Sequence, residues 1–313
     1  MQNEKILAVK ENVEKVLVGK SAVLDLVLTA LLAEGNVLLD DMPGTGKTVL
    51  AKSLARSIDA QYSRIQFTPD LLPSDITGMN VYNQQTSTFE LRKGPAFCNI
   101  LLADEINRAT PRTQSALLEC MEERQITIDG VTMALEMPYF VIATQNPIET
   151  SGTYPLPEAQ LDRFLMQLSL GLPSLEEEIQ IMERFLVDAP LEVLKPVCTI
   201  DELLEMQQQY TNVYVHPEIM RYMAQIVEAT RTSPEVVSGV SPRGTLALLR
   251  AVRAYAFIQG RDYVVPEDVK VLAGPVLAHR LVLPRGFEGR SAGIKQIEKI
   301  LERVDVPTEN WGR

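Results

Sequence analysis

The sequence predicts an α/β protein in which a parallel-sheet core is sandwiched by helices and followed by an all-α domain. Three observations carry this expectation. Short apolar runs at 37–40, 99–103 and 139–143 each stop at polar residues, as strands buried on both faces do. Helical patterns lie between the runs, and strands alternating with helices give a parallel sheet. Beyond Leu172-Pro173 no such run recurs, and segments 175–187, 200–210, 217–231, 243–259 and 266–280 read as helices.

Ile6, Val9, Val13 and Val16 recur at helical spacing, and Val23, Leu26, Val27, Ala30 and Leu31 resume it after a break at Val18-Gly19-Lys20. The run 37–40 leads into Asp41–Thr48, after which Val49, Leu50, Leu54, Ala55 and Ile58 continue as a helix. Residues 61–67 suit another strand. Pro69, Pro73, Gly78, Gly94 and Pro95 make 68–98 turn-rich, with room for a hairpin tipped at Asn83–Ser87. Thr110-Pro111 opens a helix whose buried face is Ala116, Leu117, Cys120 and Met121. Gln125–Leu135 alternates about Asp129-Gly130, a hairpin turn. Ser174 and Glu177 make a capping box, and Pro217, Pro242 and Pro266 stand where helices can begin. The expected domains are 1–173 and 174–313.

Composition narrows the function. The chain has 313 residues, 46% hydrophobic and 23% charged, the balance of a water-soluble globular protein. Charges recur through the first residues, which leaves no signal-peptide core, and no apolar run approaches the ~20 residues of a membrane helix. A cytoplasmic protein is expected. The net charge of −11 argues against a duplex-binding surface, which needs clustered Lys and Arg, so nucleic acid is not an expected partner. Cys98, Cys120 and Cys198 form no CxxC pair, and the two histidines, His216 and His279, are too few for a zinc site or a His-based triad.

Gly44-Thr45-Gly46-Lys47-Thr48 lies between a strand and a helix, the context of a phosphate-binding P-loop. Glycines let backbone N–H groups converge on phosphate oxygens, and the helix N-terminus adds its positive dipole end. Lys47 is expected to reach the β- and γ-phosphates and the Thr48 hydroxyl to ligate Mg²⁺. The full pattern asks for glycine at position 41, where this chain has Asp41. Asp104 and Glu105 close an apolar strand. Alone, the pair reads as a strand meeting solvent; with a P-loop upstream, Asp104 holds Mg²⁺ and Glu105 polarises the attacking water. Asn146 ends the third run, where it either orients that water or begins an Asn-Pro turn.

These motifs resemble those of AAA+ ATPases, specifically the MoxR family, and the resemblance covers almost the whole chain. Val18-Gly19-Lys20 is similar to the loop that packs on adenine, and Asp104–Ala109 to the Walker B extension. Thr144-Gln145-Asn146-Pro147 resembles sensor 1, Glu158–Phe164 the arginine-finger segment, and Ser241-Pro242-Arg243 sensor 2. The resemblance implies a P-loop AAA+ core with a helical lid, a helix-2 insert at 68–98 and a pre-sensor-1 hairpin at 125–135. It implies binding of ATP and ADP by Val18, Gly19, Pro43, Gly44, Thr45, Gly46, Lys47, Thr48 and Val49, with Mg²⁺ on Thr48 and Asp104. Glu105 and Asn146 would be catalytic, Arg243 would reach the nucleotide from the lid, and Arg163 would act in trans on a neighbouring subunit. It further implies a homo-oligomeric ring of six, working as a chaperone-like motor on a client complex with a von Willebrand factor A domain protein. A magnesium-chelatase-like motor subunit and a slow, nucleotide-gated assembly factor are the alternatives.

Overall fold

A computed structural model of the chain describes residues 3–146, 152–187, 191–284 and 289–308, with the backbone alone at 185 and 187. Helices α1 (Glu4–Glu14) and α2 (Ser21–Leu32) precede β1 (Val37–Asp40), α3 (Lys47–Ser57) and β2 (Tyr62–Gln66). Then come α4 (Pro73–Thr77) and an exposed hairpin of β3 (Gly78–Asn83) and β4 (Thr88–Lys93). Next are β5 (Ile100–Asp104), α5 (Pro111–Glu123), a second hairpin of β6 (Gln125–Ile128) and β7 (Val131–Ala134), and β8 (Phe140–Gln145). A short α6 (Glu158–Leu161) leads to β9 (Met166–Leu168). Six helices follow: α7 (Leu175–Val187), α8 (Ile200–Gln209), α9 (Pro217–Thr232), α10 (Pro242–Ile258), α11 (Pro266–Leu277) and α12 (Arg290–Arg303).

Five strands pair in the order β2-β5-β8-β1-β9, every pair parallel. Side chains alternate across a strand, so each run feeds two cores. Val37, Leu39, Ile100, Leu102, Phe140 and Ile142 enter a cluster with α1, α2 and α3. Leu38, Leu101, Ala103, Val141 and Ala143 enter another with Leu117 and Met121 of α5. The first cluster continues without a break into the second half of the chain, through Leu203, Tyr222, Leu248, Val252, Leu272 and Ile297. The α2 helix, buried along most of its length, is the bridge, because it packs against α10. Truncating a wholly buried residue such as Leu39 or Leu248 to Ala should cost roughly 2–5 kcal/mol.

Local chemistry places the boundaries. Asp129 and Gly130 both adopt positive φ, 49° and 80°, as a tight hairpin turn requires. Ser174 and Glu177 cap α7 reciprocally: the Ser174 N–H donates to Glu177 Oε2 at 2.7 Å and the Glu177 N–H to Ser174 Oγ at 3.3 Å. Pro217, Pro242 and Pro266 are each the first residue of a helix. Four elements were not anticipated. The β9 strand, α6 and α4 have only three, four and five residues, too few for a period to show. The α12 helix does carry one, in Ile294, Ile297, Ile300 and Leu301. The segment read as one helix at 266–280 is helical to Leu277 and closes with a 3₁₀ turn at Ala278–Arg280. Among the described residues no helix is long and apolar enough to cross a membrane.

Candidate active site

The carboxyl ends of β1, β5 and β8 lie side by side, at Asp40, Asp104 and Gln145. This edge is where open parallel sheets bind ligands. The chain leaves β1 through Asp41–Gly46, in which Gly44 and Gly46 have φ of +87° and +94°. A side chain would be strained at either residue. Gly46 is the residue before α3, so the free N–H groups of the first helical turn open onto the loop. Lys47 is buried, its Nζ donating to the Asp41 carbonyl at 2.9 Å.

A cavity of about 390 Å³ opens over this loop, lined by Pro43, Gly44, Gly46, Lys47, Thr48 and Val49. Asp104 and Glu105 complete its wall together with Arg64 and Gln66. The buried Thr144 ties the Asp104 carboxylate to the Glu105 backbone: its hydroxyl donates to Asp104 Oδ1 at 2.7 Å and accepts from the Glu105 N–H at 2.8 Å. Glu105 takes a left-handed backbone, φ +57°, which costs a non-glycine residue roughly 1–2 kcal/mol. The Thr144 bond holds the backbone there and so turns the carboxylate out over the loop.

Arg64 and Gln66 were not singled out from the sequence. They flank Ile65 on β2, so both point to the same side, and register sets Gln66 beside Asp104. Arg64 donates to Asp104 Oδ2 at 2.7 Å, and Gln66 Nε2 to Glu105 Oε2 at 2.7 Å. Arg108 reaches the same Glu105 oxygen at 3.1 Å. The available signal was two polar residues at period two near the end of a strand that precedes the Asp104 strand.

The other expected site residues lie around this cavity or away from it. Val18 is buried and Gly19 has φ +71°, with Glu177 of α7 packed so closely that a Cβ at Gly19 would overlap it. The neighbouring Leu17 lies against Gly46, which places this loop beside the P-loop. Thr45, within the loop, donates its hydroxyl to the Met42 carbonyl at 3.3 Å. Asp41 turns its carboxylate away from the cavity, accepting from Ser169 Oγ at 2.6 Å and from the N–H groups of Leu170 and Gly171 at 2.7 and 3.0 Å. An acid replaces glycine here because it satisfies the backbone that leaves β9. Asn146 is buried one residue beyond β8, its carbonyl accepting from Asn107 Nδ2 at 3.3 Å. Pro147 lies outside the described residues.

Arg163 and Arg243 do not line the cavity. Both pair with one carboxylate, that of Glu122 at the end of α5: Arg163 with Oε2 and Arg243 Nη2 with Oε1 at 2.5 Å. They share a cleft of about 170 Å³ with Glu34, Asn36, Asp162 and Arg280. Glu34 and Asn36 precede β1, whereas the P-loop follows it. The four residues of β1 separate the two sites by about 13 Å at ~3.3 Å per residue. The two arginines therefore gather at the amino edge of the sheet and the glycine loop at the carboxyl edge. Burial pulls the Arg280 guanidinium down to about 10, with Asp162 opposing.

Among the described residues no three His, Cys, Asp or Glu side chains cluster to hold a metal unaided. Mg²⁺ needs no such cage, because it is held by one or two protein oxygens together with substrate phosphates and water. Thr48 and Asp104 face the same cavity beside the loop, a donor set that fits this ion.

Comparison with known proteins agrees with this geometry. Residues 36–166 match the model of the ATPase family associated with various cellular activities, and 228–303 match the AAA lid domain. The chain is 50% identical to the uncharacterized protein YeaC of Bacillus subtilis over 96% of its length and 94% of that protein. It is 42% identical to the chaperone MoxR1 of Mycobacterium tuberculosis, over 95% of this chain and 81% of that one. A structure solved as that of a candidate ATPase from Cytophaga hutchinsonii superposes with a TM-score of 0.90 at 39% identity, covering 98% of this chain and 96% of the other. The parallel sheet with its glycine loop, the lid and these relatives place the chain in the MoxR family of AAA+ ATPases.

Proposed function

We propose that the chain hydrolyses ATP at a site completed by a second copy, with 1–173 as nucleotide-binding core and 174–313 as lid. The supporting observation is the separation of two half-sites: Lys47, Thr48, Asp104 and Glu105 at the carboxyl edge of the sheet, Arg163 and Arg243 at the amino edge. A chain's own Arg163 and Arg243 lie across the sheet from its phosphate site. Head-to-tail packing sets one chain's amino edge against the next chain's cavity, and such heterologous contacts close into rings. Family membership supports a ring of six.

In this reading the P-loop amides and Lys47 bind the β- and γ-phosphates. Thr48 and Asp104 would hold Mg²⁺, which would supply positive charge against the phosphates. Glu105 accepts the proton of the attacking water as Gln66 and Arg108 steer its carboxylate. Thr144 holds Asp104 and Glu105 in register. Asn146, next to the start of the P-loop, orients the water. Arg163 and Arg243 of the neighbour, already side by side on Glu122, meet the charge gathering on the γ-phosphate. The family extends this to remodelling of a client complex with a von Willebrand factor A domain protein in the cytoplasm.

The test is turnover against assembly. ATPase activity per chain should rise with protein concentration as rings form, followed by mass measurement. Activity per chain that stays constant from monomer to ring would contradict a shared site.

A further inference from the structure

The turn that carries Arg163 is held by a residue far away in sequence. Arg280, at the end of the 3₁₀ turn after α11, has a side chain only 3% exposed. Its Nε donates to Asp162 Oδ1 at 2.7 Å, and its Nη2 to the carbonyls of Asp162 at 3.2 Å and Phe164 at 2.7 Å. Its Nη1 reaches the Leu165 carbonyl at 3.3 Å and also bonds the Val276 carbonyl and His279. His279 Nε2 lies 3.2 Å from the Phe164 carbonyl as well. The guanidinium thus spans residues 162, 164 and 165, on both sides of Arg163. From the core, the Arg163 side chain pairs with the Glu122 carboxylate. A planar fork with five donors fits the four acceptors of residues 162, 164 and 165 around this turn in a way that the single point charge of lysine cannot.

We propose that Arg280 is a positioning residue for Arg163: it ties the Arg163 turn to the helical lid, so that the arginine offered to a neighbour follows the lid of the chain that offers it. This rests on the reading that Arg163 acts in trans, and it adds a route by which one subunit's lid sets its neighbour's activity. Arg280 touches neither cavity residue nor phosphate loop, so its loss should leave ATP binding intact and weaken the chemical step alone.

The experiment mixes variant chains into rings whose composition is checked by mass. Alone, Arg280→Ala should lower turnover by about 10-fold or more while half-saturating ATP shifts by less than about 2-fold. Arg280→Lys keeps the buried charge beside Asp162 and guards against a chain that fails to fold; it should lose activity several-fold with the same unchanged saturation. Either variant mixed with Glu105→Gln chains should regain activity, because those chains bring an intact Arg163 turn to an intact Glu105. Mixed with Arg163→Ala chains it should regain none. A weakened ATP affinity, or no recovery with Glu105→Gln while Arg163→Ala recovers in the same assay, overturns the role of Arg280 alone. If Arg163→Ala also fails to recover, the shared-site reading falls with it.

Discussion

The two edges of the sheet are assembled differently. At the carboxyl edge, the groups facing the cavity follow directly from strands: Gly44–Thr48 after β1, Asp104 and Glu105 at the end of β5, Arg64 and Gln66 on β2. Parallel pairing alone brings them together. At the amino edge, Glu122 comes from α5, Arg163 from the turn before β9, Arg243 from α10 and Arg280 from the turn after α11. Glu122 and Arg163 already meet within the core, and packing of the lid on the core brings Arg243 and Arg280 to them. The first group is thus set by the sheet alone, whereas the second is completed by the lid. In the proposed ring, that difference would give lid movement a way to act on the neighbouring site.

The sharpest break in the comparison is Glu105→Gln, which removes the base and leaves its shape. Turnover should fall by about 10²–10⁴-fold with ATP affinity kept, measured by phosphate release and nucleotide titration. Near-normal release would unseat Glu105. Lys47→Ala should act on affinity instead, weakening ATP by about 10–100-fold for a lost charged contact, as calorimetry would show. Unchanged affinity would reduce Gly44–Thr48 to a helix cap. Thr144→Val keeps the volume of a fully buried side chain but drops both of its hydrogen bonds. It should cost roughly 1–3 kcal/mol of stability by leaving the Glu105 N–H unpaired, and about 10-fold in turnover. Equal melting and turnover would mean that Glu105 keeps its left-handed backbone without Thr144.

The smallest effect probes the amino edge through pH. His279 is buried beside Arg280, and burial, then the Arg280 charge, holds its imidazole well below 6.5. The unfolded chain therefore takes up a proton that the folded chain refuses. Stability from this group is present above pH 6.5 and is lost as pH falls below it, at up to ~1.4 kcal/mol per pH unit. Denaturation midpoints of the native chain and His279→Gln, taken between pH 7.5 and 5.5, should diverge, with the native chain losing more on the acid side. Parallel pH slopes would show that His279 does not carry this term.

The same contrast explains what could be read from the sequence. Gly44–Thr48 and Asp104-Glu105 are contiguous and sit where apolar runs stop, so spacing and residue chemistry were enough to find them. The hairpin at Asp129-Gly130 and the proline starts of α9, α10 and α11 were legible for the same local reason. Arg64 and Gln66 escaped because a polar pair on a short strand has no meaning until the strand order sets it beside Asp104. Arg163 and Arg243 were found only through the family resemblance, and nothing in the chain foretold that both would share Glu122. Arg280 lies more than a hundred residues from the turn it holds, and an Arg after a His carries no local signal. Asp41 reads as a departure from the glycine pattern until its bonds to 169–171 are seen.

The central claim is that each site is built from two chains, and mixing Arg163→Ala with Glu105→Gln tests it most directly. Each variant alone should be nearly inactive, since one lacks the arginine for its neighbour and the other the base for itself. In rings of equal mixture, about a quarter of interfaces join an intact Glu105 to an intact Arg163, and activity should return toward that fraction of the native rate. If rings confirmed to contain both chains stay as inactive as the separate variants, Arg163 does not act across the interface and the account fails.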